Sequence, residues 1–207
     1  MQIINNIEQG TPEWLQLRIG VFTATDCQAI ATGSKGLETL ILEKASENLT
    51  GISSDKIFEN EDIKRGKELE SLARDLYEIE RETEVDLVAF VKGDIEYTGC
   101  SPDGLIFVDG LIEIKCPKNT NYLLICLNGI DEVDTKYLWQ CEYQMFITGR
   151  KWVDLVFFNP NFKDSLKIFR IERDENKQNL IKKNVELGIK KMLLIVNKIK
   201  NQNEKPF

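Results

Sequence analysis

The chain has 207 residues, of which 42% are hydrophobic and 29% charged, a composition typical of a globular domain rather than a disordered or fibrous chain. It contains no histidine, which excludes the serine–histidine and cysteine–histidine triads and every zinc hydrolase with histidine ligands. The net charge of −7 argues against a protein that coats nucleic acid by bulk electrostatics, although acids clustered around a divalent metal would contribute to it.

The length suits one domain, with a helical part at about 1–82, a sheet core at about 83–172 and a C-terminal helix at about 175–200. No apolar stretch is long enough to span a membrane and the first residues form no leader, so we expect a cytoplasmic protein without membrane contacts. The five cysteines are scattered, which favours buried thiols over a disulfide framework. Lysines crowd residues 182–200, and we interpret them as a solvated helix face.

Four helices are predicted in the first part of the chain. TPEWLQLRIG offers Thr11 as an N-cap and Pro12 at the first helical position, and Gly20 ends this helix. TATDCQAIA begins a second short helix, and residues 36 to 50 form a third. EDIKRGKELESLARDLYEIE is a long amphipathic helix, and its predicted core stripe consists of Leu69, Leu72, Ala73 and Leu76.

Strands dominate the middle of the chain. VDLVAFV, IEYTGC, LIFV, LIEIK and WVDLVFF have the apolar and β-branched composition of strands. DTKYLWQCEYQMFIT is predicted as a helix between the last two of them. Helices before, within and after a run of strands indicate a mixed α/β fold, with a central mixed β-sheet flanked by helices.

The hairpin SPDGLIFVDGLIEIKCPK carries charged residues among apolar ones, and its turn decides where Asp103 points. A two-residue loop would put Asp103 on the face opposite to that of Lys115. A three-residue loop with a left-handed Gly110 pairs Phe107 with Leu111 and brings Asp103 opposite Lys115. An acidic site in this hairpin therefore requires the three-residue loop, or an irregularity at SPDG that redirects Asp103.

Carboxylates that converge at this hairpin would need a cation. At about 5 Å and an effective dielectric near 20, two of them repel by roughly 3 kcal/mol. Hard oxygen ligands such as Asp103 and Glu113 suit Mg²⁺ or Mn²⁺. Lys115 shares a strand face with Glu113 and could orient the attacking water or neutralise developing charge. Spacing alone slightly favours the alternative, an edge strand on which Glu113 and Lys115 are the solvent-facing side.

The sequence around these acids resembles the PD-(D/E)XK nuclease core, and most closely its phage lambda exonuclease branch, the YqaJ-like viral recombinases. The resemblance is carried by CSPDGL and LIEIKCP in the hairpin. LRIGVFTATD, RGKELESLARDLYE and YLWQCEYQMFITGRKWVDLVFF are similar to family segments in the same order, as is IERDE near residue 171. It covers about residues 8 to 175 and implies a restriction-endonuclease-like core.

The resemblance implies a site for divalent metal, with two Mg²⁺ ions and Mn²⁺ as a substitute. Asp103, Glu113 and the backbone carbonyl of Ile114 would be metal ligands, and Lys115 would act on the attacking water. Glu70 would join them, either directly or through a water molecule.

The same resemblance assigns roles on two helices. Helical periodicity does not choose between Glu68 and Glu70, and similarity to the family selects Glu70, with Glu68 in reserve. Gln140 is assigned to the active-site wall, where it would hydrogen-bond the water or the scissile phosphate. Gln144 lies four residues later on the same helix face and is the other reserve residue. We interpret Gln144 as a neutral surface residue.

Arg18 and Thr25 fall where the family binds the 5′-phosphate of DNA, and Ser101 would assist there. A guanidinium fork and a hydroxyl near a helix N-terminus suit a phosphate dianion. Trp14, in the same segment, is assigned to core packing.

The function implied by the resemblance is a Mg²⁺-dependent exodeoxyribonuclease. It would degrade the 5′-ended strand of linear double-stranded DNA from 5′ to 3′, release mononucleotides and leave 3′ single-stranded tails for phage-type recombination by strand annealing. The family forms a homotrimeric ring around DNA and works with a phage-type single-strand annealing protein. The alternatives are another nuclease of the superfamily, such as an endonuclease or a junction or RecB-like nuclease, and a DNA-end-binding module without catalysis. An intact pocket at Arg18 and Thr25 would favour the exonuclease.

Overall fold

The computed structural model describes residues 1–33, 35–54 and 61–203. Its helices are α1 (Pro12–Arg18), α2 (Cys27–Thr32), α3 (Lys35–Thr50), α4 (Glu61–Arg81), α5 (Asn119–Asn128), α6 (Thr135–Thr148) and α7 (Glu175–Asn203). Its strands are β1 (Gln2–Ile4), β2 (Phe90–Lys92), β3 (Gly99–Cys100), β4 (Gly104–Ile106), β5 (Gly110–Lys115), β6 (Trp152–Phe158) and β7 (Leu166–Glu172). None of the helices in these ranges is long and apolar enough to cross a membrane.

The strands form two sheets. β1, β2 and β3 make a small antiparallel sheet, and β4, β5, β6 and β7 make the main sheet in that order. β5 and β6 are parallel, whereas the outer pairs of the main sheet are antiparallel. The chain between β5 and β6 contains α5 and α6, because parallel neighbours need a long crossover connection. The predicted mixed α/β fold with a mixed sheet is confirmed.

Each face of the main sheet packs against different helices. On one face Leu111 and Leu155 join the larger core, to which α2, α3, α6 and α7 contribute. On the other face Ile112 and Val156 pack against Ala73 of α4. Because strand side chains alternate, Glu113 lies on the Leu111 face and points toward α6. The fold thus directs an acidic side chain of a central strand into the layer between sheet and helix.

The buried stripe of α4 differs from the predicted one. Leu72 and Leu76 are 52% and 40% exposed, whereas Ala73 and Tyr77 are buried. The face on the sheet therefore contains Leu69, Ala73 and Tyr77, spaced four residues apart. The Tyr77 hydroxyl donates a 2.7 Å hydrogen bond to a buried aspartate of β6. This polar contact orients the helix with its tyrosine, rather than its leucines, toward the sheet.

The turn of the β4–β5 hairpin has the predicted length but not the predicted position. Ile106 pairs with Gly110, so that the loop consists of residues 107–109. Phe107, at φ 47°, takes the left-handed conformation that we predicted for Gly110. Gly110 is required for a different reason, since a Cβ there would lie 2.1 Å from the Trp152 ring.

This shift changes the partner of Asp103 but not its face. Gly104 pairs with Ile112, and extending that register puts Asp103 level with Glu113 rather than with Lys115. Paired residues of adjacent strands point to the same side of a sheet. The two acids therefore share one face, as the chemistry of the site requires. β1, α5 and β7 are further elements that our sequence prediction omitted.

Candidate active site

Asp103 lies just before β4, and a backbone N–H of β5 holds its carboxylate by a hydrogen bond. The N–H of Ile114 donates to Oδ2 of Asp103 at 2.6 Å. The pKa of Asp103 is well above its usual value, because the carboxyl is buried and because Glu113 and Glu70 are nearby negative charges. Lys115 and the Ile114 N–H oppose this shift only in part. The ionised form of Asp103 is therefore disfavoured unless a further cation is present.

Glu113 is the centre of the hydrogen-bond network. It is 1% exposed, and its Oε1 accepts from Nζ of Lys115 and from Nε2 of Gln140. Its Oε2 accepts from Nε2 of Gln144 at 2.5 Å. Three donors thus fix the orientation of this carboxylate. Gln140 lies beside Glu113, whereas Gln144 is 0% exposed and is not the surface residue that we predicted.

Lys115 remains a cation in this setting. Burial acts to lower its pKa, but Glu113 and Asp103 raise the pKa by more, so that the ammonium group keeps its proton. Its Nζ also lies 5.0 Å from the centre of the Tyr137 ring, in cation–π contact. A protonated lysine cannot act as a base, but it can neutralise charge that develops on a phosphate.

Glu70 of α4 is the helix glutamate that faces the site. Its pKa is raised, first by burial and then, against the effect of Arg74, by the charge of Glu113. Its Oε1 accepts a 2.9 Å hydrogen bond from Arg74, so Glu70 influences Asp103 and Glu113 by charge rather than by contact. Glu68 is exposed, and no hydrogen bond or ion pair joins it to the described residues of the site. Of the two glutamates, Glu70 is the one whose charge acts on Asp103.

The donor set fits a divalent metal of the magnesium type. Within the described ranges, no three Asp, Glu or Cys side chains lie close enough together to hold an ion by themselves. Asp103 and Glu113 nevertheless bring two carboxylates together, and their mutual repulsion raises the pKa of Asp103. A divalent cation between hard oxygen ligands would relieve that repulsion. Ile114 directly follows Glu113 in β5, and its N–H contacts Asp103, so its peptide group lies beside both acids.

A second cluster lies at the end of α1. Arg18 is only 7% exposed, and its Nη2 lies 3.5 Å from Oγ1 of both Thr23 and Thr25. Thr23 and Asp26 form a reciprocal capping box, in which the Thr23 N–H donates to Asp26 Oδ2 at 2.8 Å. The capping box holds the two threonine hydroxyls beside the guanidinium. Arg18 and Thr25 therefore lie together, as predicted for a phosphate pocket.

Trp14 connects this cluster to the hairpin, a role that sequence reasoning missed. The Arg18 guanidinium carbon lies 4.5 Å from the centre of the Trp14 ring. The indole Nε1 donates to Oγ of Ser101 at 2.9 Å and to the carbonyl of Ala89 at 3.1 Å. The position of Trp14, one helical turn before Arg18, is the signal that could have suggested this stacking. Trp14 thus lies between Ser101 and Arg18 and contacts both of them.

The two clusters are adjacent. Burial raises the pKa of the Cys100 thiol most, Glu113 raises it further, and Arg18 lowers it. Cys100 is fully buried in β3, and the next residue, Ser101, accepts from Trp14 two residues before Asp103. The carboxylate cluster and the cationic pocket are therefore neighbours through the short segment from Ser101 to Asp103. Such a pair can bind two parts of one phosphodiester chain.

Comparisons with known proteins agree with this geometry. The YqaJ-like viral recombinase domain matches residues 13–151. The crystal structure of an alkaline exonuclease from Laribacter hongkongensis, LHK-Exo, is 31% identical with a TM-score of 0.85, over 93% of this chain and 98% of that chain. LHK-Exo in complex with dAMP gives a TM-score of 0.84 at the same 31% identity and the same coverage, 93% and 98%.

A phage related exonuclease from Haemophilus somnus 129PT has 15% identity and a TM-score of 0.68, covers 86% of this chain and 96% of that chain, and shows the fold alone. No curated protein is similar enough to match. The predicted PD-(D/E)XK type of fold is confirmed by these structural neighbours. The chain is a nuclease of the recombinase kind, and it belongs to the YqaJ-like viral recombinase domain family.

Proposed function

We propose that this protein is a Mg²⁺-dependent exodeoxyribonuclease acting on the ends of linear double-stranded DNA. It degrades the 5′-ended strand from 5′ to 3′ and releases mononucleotides. The remaining 3′ single-stranded tail is a substrate for strand annealing in phage-type recombination. LHK-Exo, the 31% identical neighbour, has been solved with dAMP, which belongs to the class of product proposed for this chain.

The observation that carries the proposal is the position of the Arg18 pocket next to the segment that carries Asp103, through Trp14 and Ser101. An endonuclease needs the carboxylates but has no need of a pocket for a terminal phosphate. Arg18, Thr23 and Thr25 offer a guanidinium and two hydroxyls, which suit a phosphate with an extra negative charge. Trp14 and Ser101 link that pocket to the strand that leads into Asp103. A 5′-phosphate bound there would hold the adjacent phosphodiester near Glu113.

The residues of the chain act as follows in this proposal. Asp103 and Glu113, with the Ile114 carbonyl, would hold Mg²⁺, which would polarise the scissile phosphate and lower the pKa of the attacking water. Lys115 neutralises the negative charge that develops on the phosphate in the transition state. The amide of Gln140 donates to Glu113 and so leaves its oxygen to accept from the attacking water. Arg18 orients the strand by its terminal phosphate.

A digestion assay on matched linear and closed circular duplexes tests the proposal. We expect loss of the linear DNA only, only with Mg²⁺ or Mn²⁺, and faster from 5′-phosphate than from 5′-hydroxyl ends. EDTA is the control for metal. Cutting of closed circles would instead identify an endonuclease, and DNA binding without cleavage under any divalent metal would identify an end-binding module.

We also propose a homotrimeric ring and an annealing protein as partner, both on the resemblance to the family. An acidic chain with a net charge of −7 cannot depend on bulk attraction to stay on DNA. A ring that encloses the duplex would keep the enzyme on its substrate without that attraction. Co-purification with a single-strand annealing protein that is added in excess, against an unrelated DNA-binding protein as control, tests the partner.

A further inference from the structure

The hydrogen bonds of Glu113 leave it few positions for a metal. An ionised carboxylate has about four lone-pair sites, two on each oxygen. Oε1 accepts from both Lys115 and Gln140, so its sites are occupied. Among the described residues, Oε2 accepts only from Gln144, which leaves one free site on that oxygen. A metal ion bound by Glu113 must therefore use the oxygen that Gln144 already contacts.

We infer that Gln144 is a positioning residue that directs the remaining lone pair of Glu113 Oε2 toward the metal site. The inference rests on the proposed metal-dependent function. Without the Gln144 N–H, both sites of Oε2 would be open and the carboxylate could turn toward either. When the Gln144 N–H occupies one site of Oε2, the direction of the remaining lone pair is fixed, because Gln144 belongs to α6, which packs against the sheet. Outer partners of metal-binding carboxylates orient their ligands in this manner.

The surroundings of Gln144 support the assignment. The side chain is 0% exposed, and its Oε1 has no hydrogen-bond partner within the described residues. Turning the amide over would bring that oxygen against Oε2 of Glu113, where two acceptors repel. The donor is therefore held toward the carboxylate. Thr148 donates to the Gln144 backbone carbonyl at 2.7 Å, at the C-terminal end of α6.

The chain contains a matched control. Gln178 of α7 is also buried, and its Nε2 donates to Oε2 of the buried Glu142 at 2.7 Å. Its Oε1 likewise has no partner in the part of the chain that the structure describes. Gln144→Met and Gln178→Met each remove one buried amide–carboxylate hydrogen bond and one unpaired oxygen, and methionine is similar in length and volume. Gln178→Met also removes the 2.9 Å hydrogen bond from Nε2 to the Glu142 backbone carbonyl, so it is the more demanding control for stability. Only the first change touches a proposed metal ligand.

The experiment is a titration of Mn²⁺ into the DNA-free protein, with free Mn²⁺ measured by electron paramagnetic resonance. We expect the Kd for Mn²⁺ to rise roughly 10- to 100-fold in Gln144→Met and to stay within about twofold of wild type in Gln178→Met. The Mg²⁺ concentration that gives half of maximal DNA digestion should rise in parallel. Near-ultraviolet circular dichroism confirms that each variant is folded.

Equal Mn²⁺ affinities for the two variants would overturn the inference while leaving the proposed function intact. A wild-type protein that neither binds Mn²⁺ nor cleaves DNA with metal would overturn both. If Gln144→Met does not fold, Gln144→Asn is compared in the same titration. Its side chain is one methylene shorter, so its amide N–H lies further from Glu113. An unchanged Kd in that variant, with its shorter amide unable to reach Glu113, would also contradict the role of Gln144.

Discussion

Lys115 is the residue with the clearest single contribution to the proposed chemistry. It keeps its proton beside Glu113 and Asp103, so its role is that of a fixed positive charge. Lys115→Met should lower kcat for digestion of linear duplex DNA by about 10²- to 10³-fold, as the loss of one charge-stabilising group does in other enzymes. Fluorescent detection of released nucleotides measures this rate.

Lys136 provides the control for Lys115. Its Nζ lies 4.8 Å from the centre of the same Tyr137 ring, but it is exposed and pairs with Asp134 at 2.9 Å. Lys136→Met should leave kcat within about twofold of wild type, since exposed ion pairs contribute little. Equal effects of the two substitutions would mean that general loss of positive charge near Tyr137, rather than a specific role of Lys115, limits the reaction.

Arg18 governs the preference for 5′-phosphorylated ends. Arg18→Lys keeps the charge but removes the planar fork and its stacking on Trp14. We expect the ratio of kcat/KM for 5′-phosphate over 5′-hydroxyl ends to fall by about tenfold or more, because hydrogen bonds between charged groups are among the strongest. The 5′-hydroxyl substrate is the internal control, and its own kcat/KM should change little. A ratio equal to that of wild type would remove Arg18 from the phosphate pocket.

At the scale of single residues, the sequence predicts which residues share one side of a strand or helix better than it predicts their tertiary contacts. Strand alternation correctly placed Glu113 and Lys115 on one face, and helical spacing correctly paired Gln140 with Gln144. Spacing could not reveal that this helix face packs onto the sheet, so the burial of Gln144 was predicted wrongly. Only the tertiary arrangement brings α6 over β5.

At the scale of elements, the β4–β5 hairpin stores strain at its tip. Phe107 has φ 47° although its side chain is 71% exposed, so little packing compensates for a left-handed backbone. Phe107→Gly should raise the free energy of unfolding by about 0.5–1 kcal/mol, because the penalty for a left-handed residue exceeds the entropy cost of glycine. Urea denaturation followed by circular dichroism measures the change.

The neighbouring Val108 is the control for this prediction. It is 83% exposed, but its φ is not positive, so glycine brings no relief there. Val108→Gly should lower the free energy of unfolding by roughly 0.5–1 kcal/mol. If both glycine substitutions destabilise the protein equally, the tip is not strained at Phe107.

Two of the three elements that the sequence failed to predict lack a clear apolar pattern. β1 has three residues, too short for an alternation pattern to be visible. β7, LKIFRIE, carries charged residues on an edge strand, a composition that resembles a loop. The α4 stripe was misplaced because Tyr77 was not counted among its apolar residues. Buried strands such as β6, WVDLVFF, were predicted correctly because their composition is nearly continuous and apolar.

At the scale of the whole molecule, a homotrimer is expected from the proposed ring. Light scattering coupled to size exclusion should give a mass near three times the 23.8 kDa of one chain, at salt concentrations from low to physiological. A mass equal to one chain at all protein concentrations would rule out a preformed ring. Measurement with and without duplex DNA shows whether the DNA drives assembly.

The central claim is that degradation begins at a 5′ end. A linear duplex labelled at the 5′ terminus of one strand, and a second duplex labelled at the 3′ terminus of the same strand, are digested with Mg²⁺ under identical conditions. We predict that the 5′ label appears at once as a mononucleotide, whereas the 3′ label stays in long fragments until late in the reaction. Early release of the 3′ label, or labelled oligonucleotides of mixed length from both duplexes, would contradict the proposed 5′ to 3′ exonuclease.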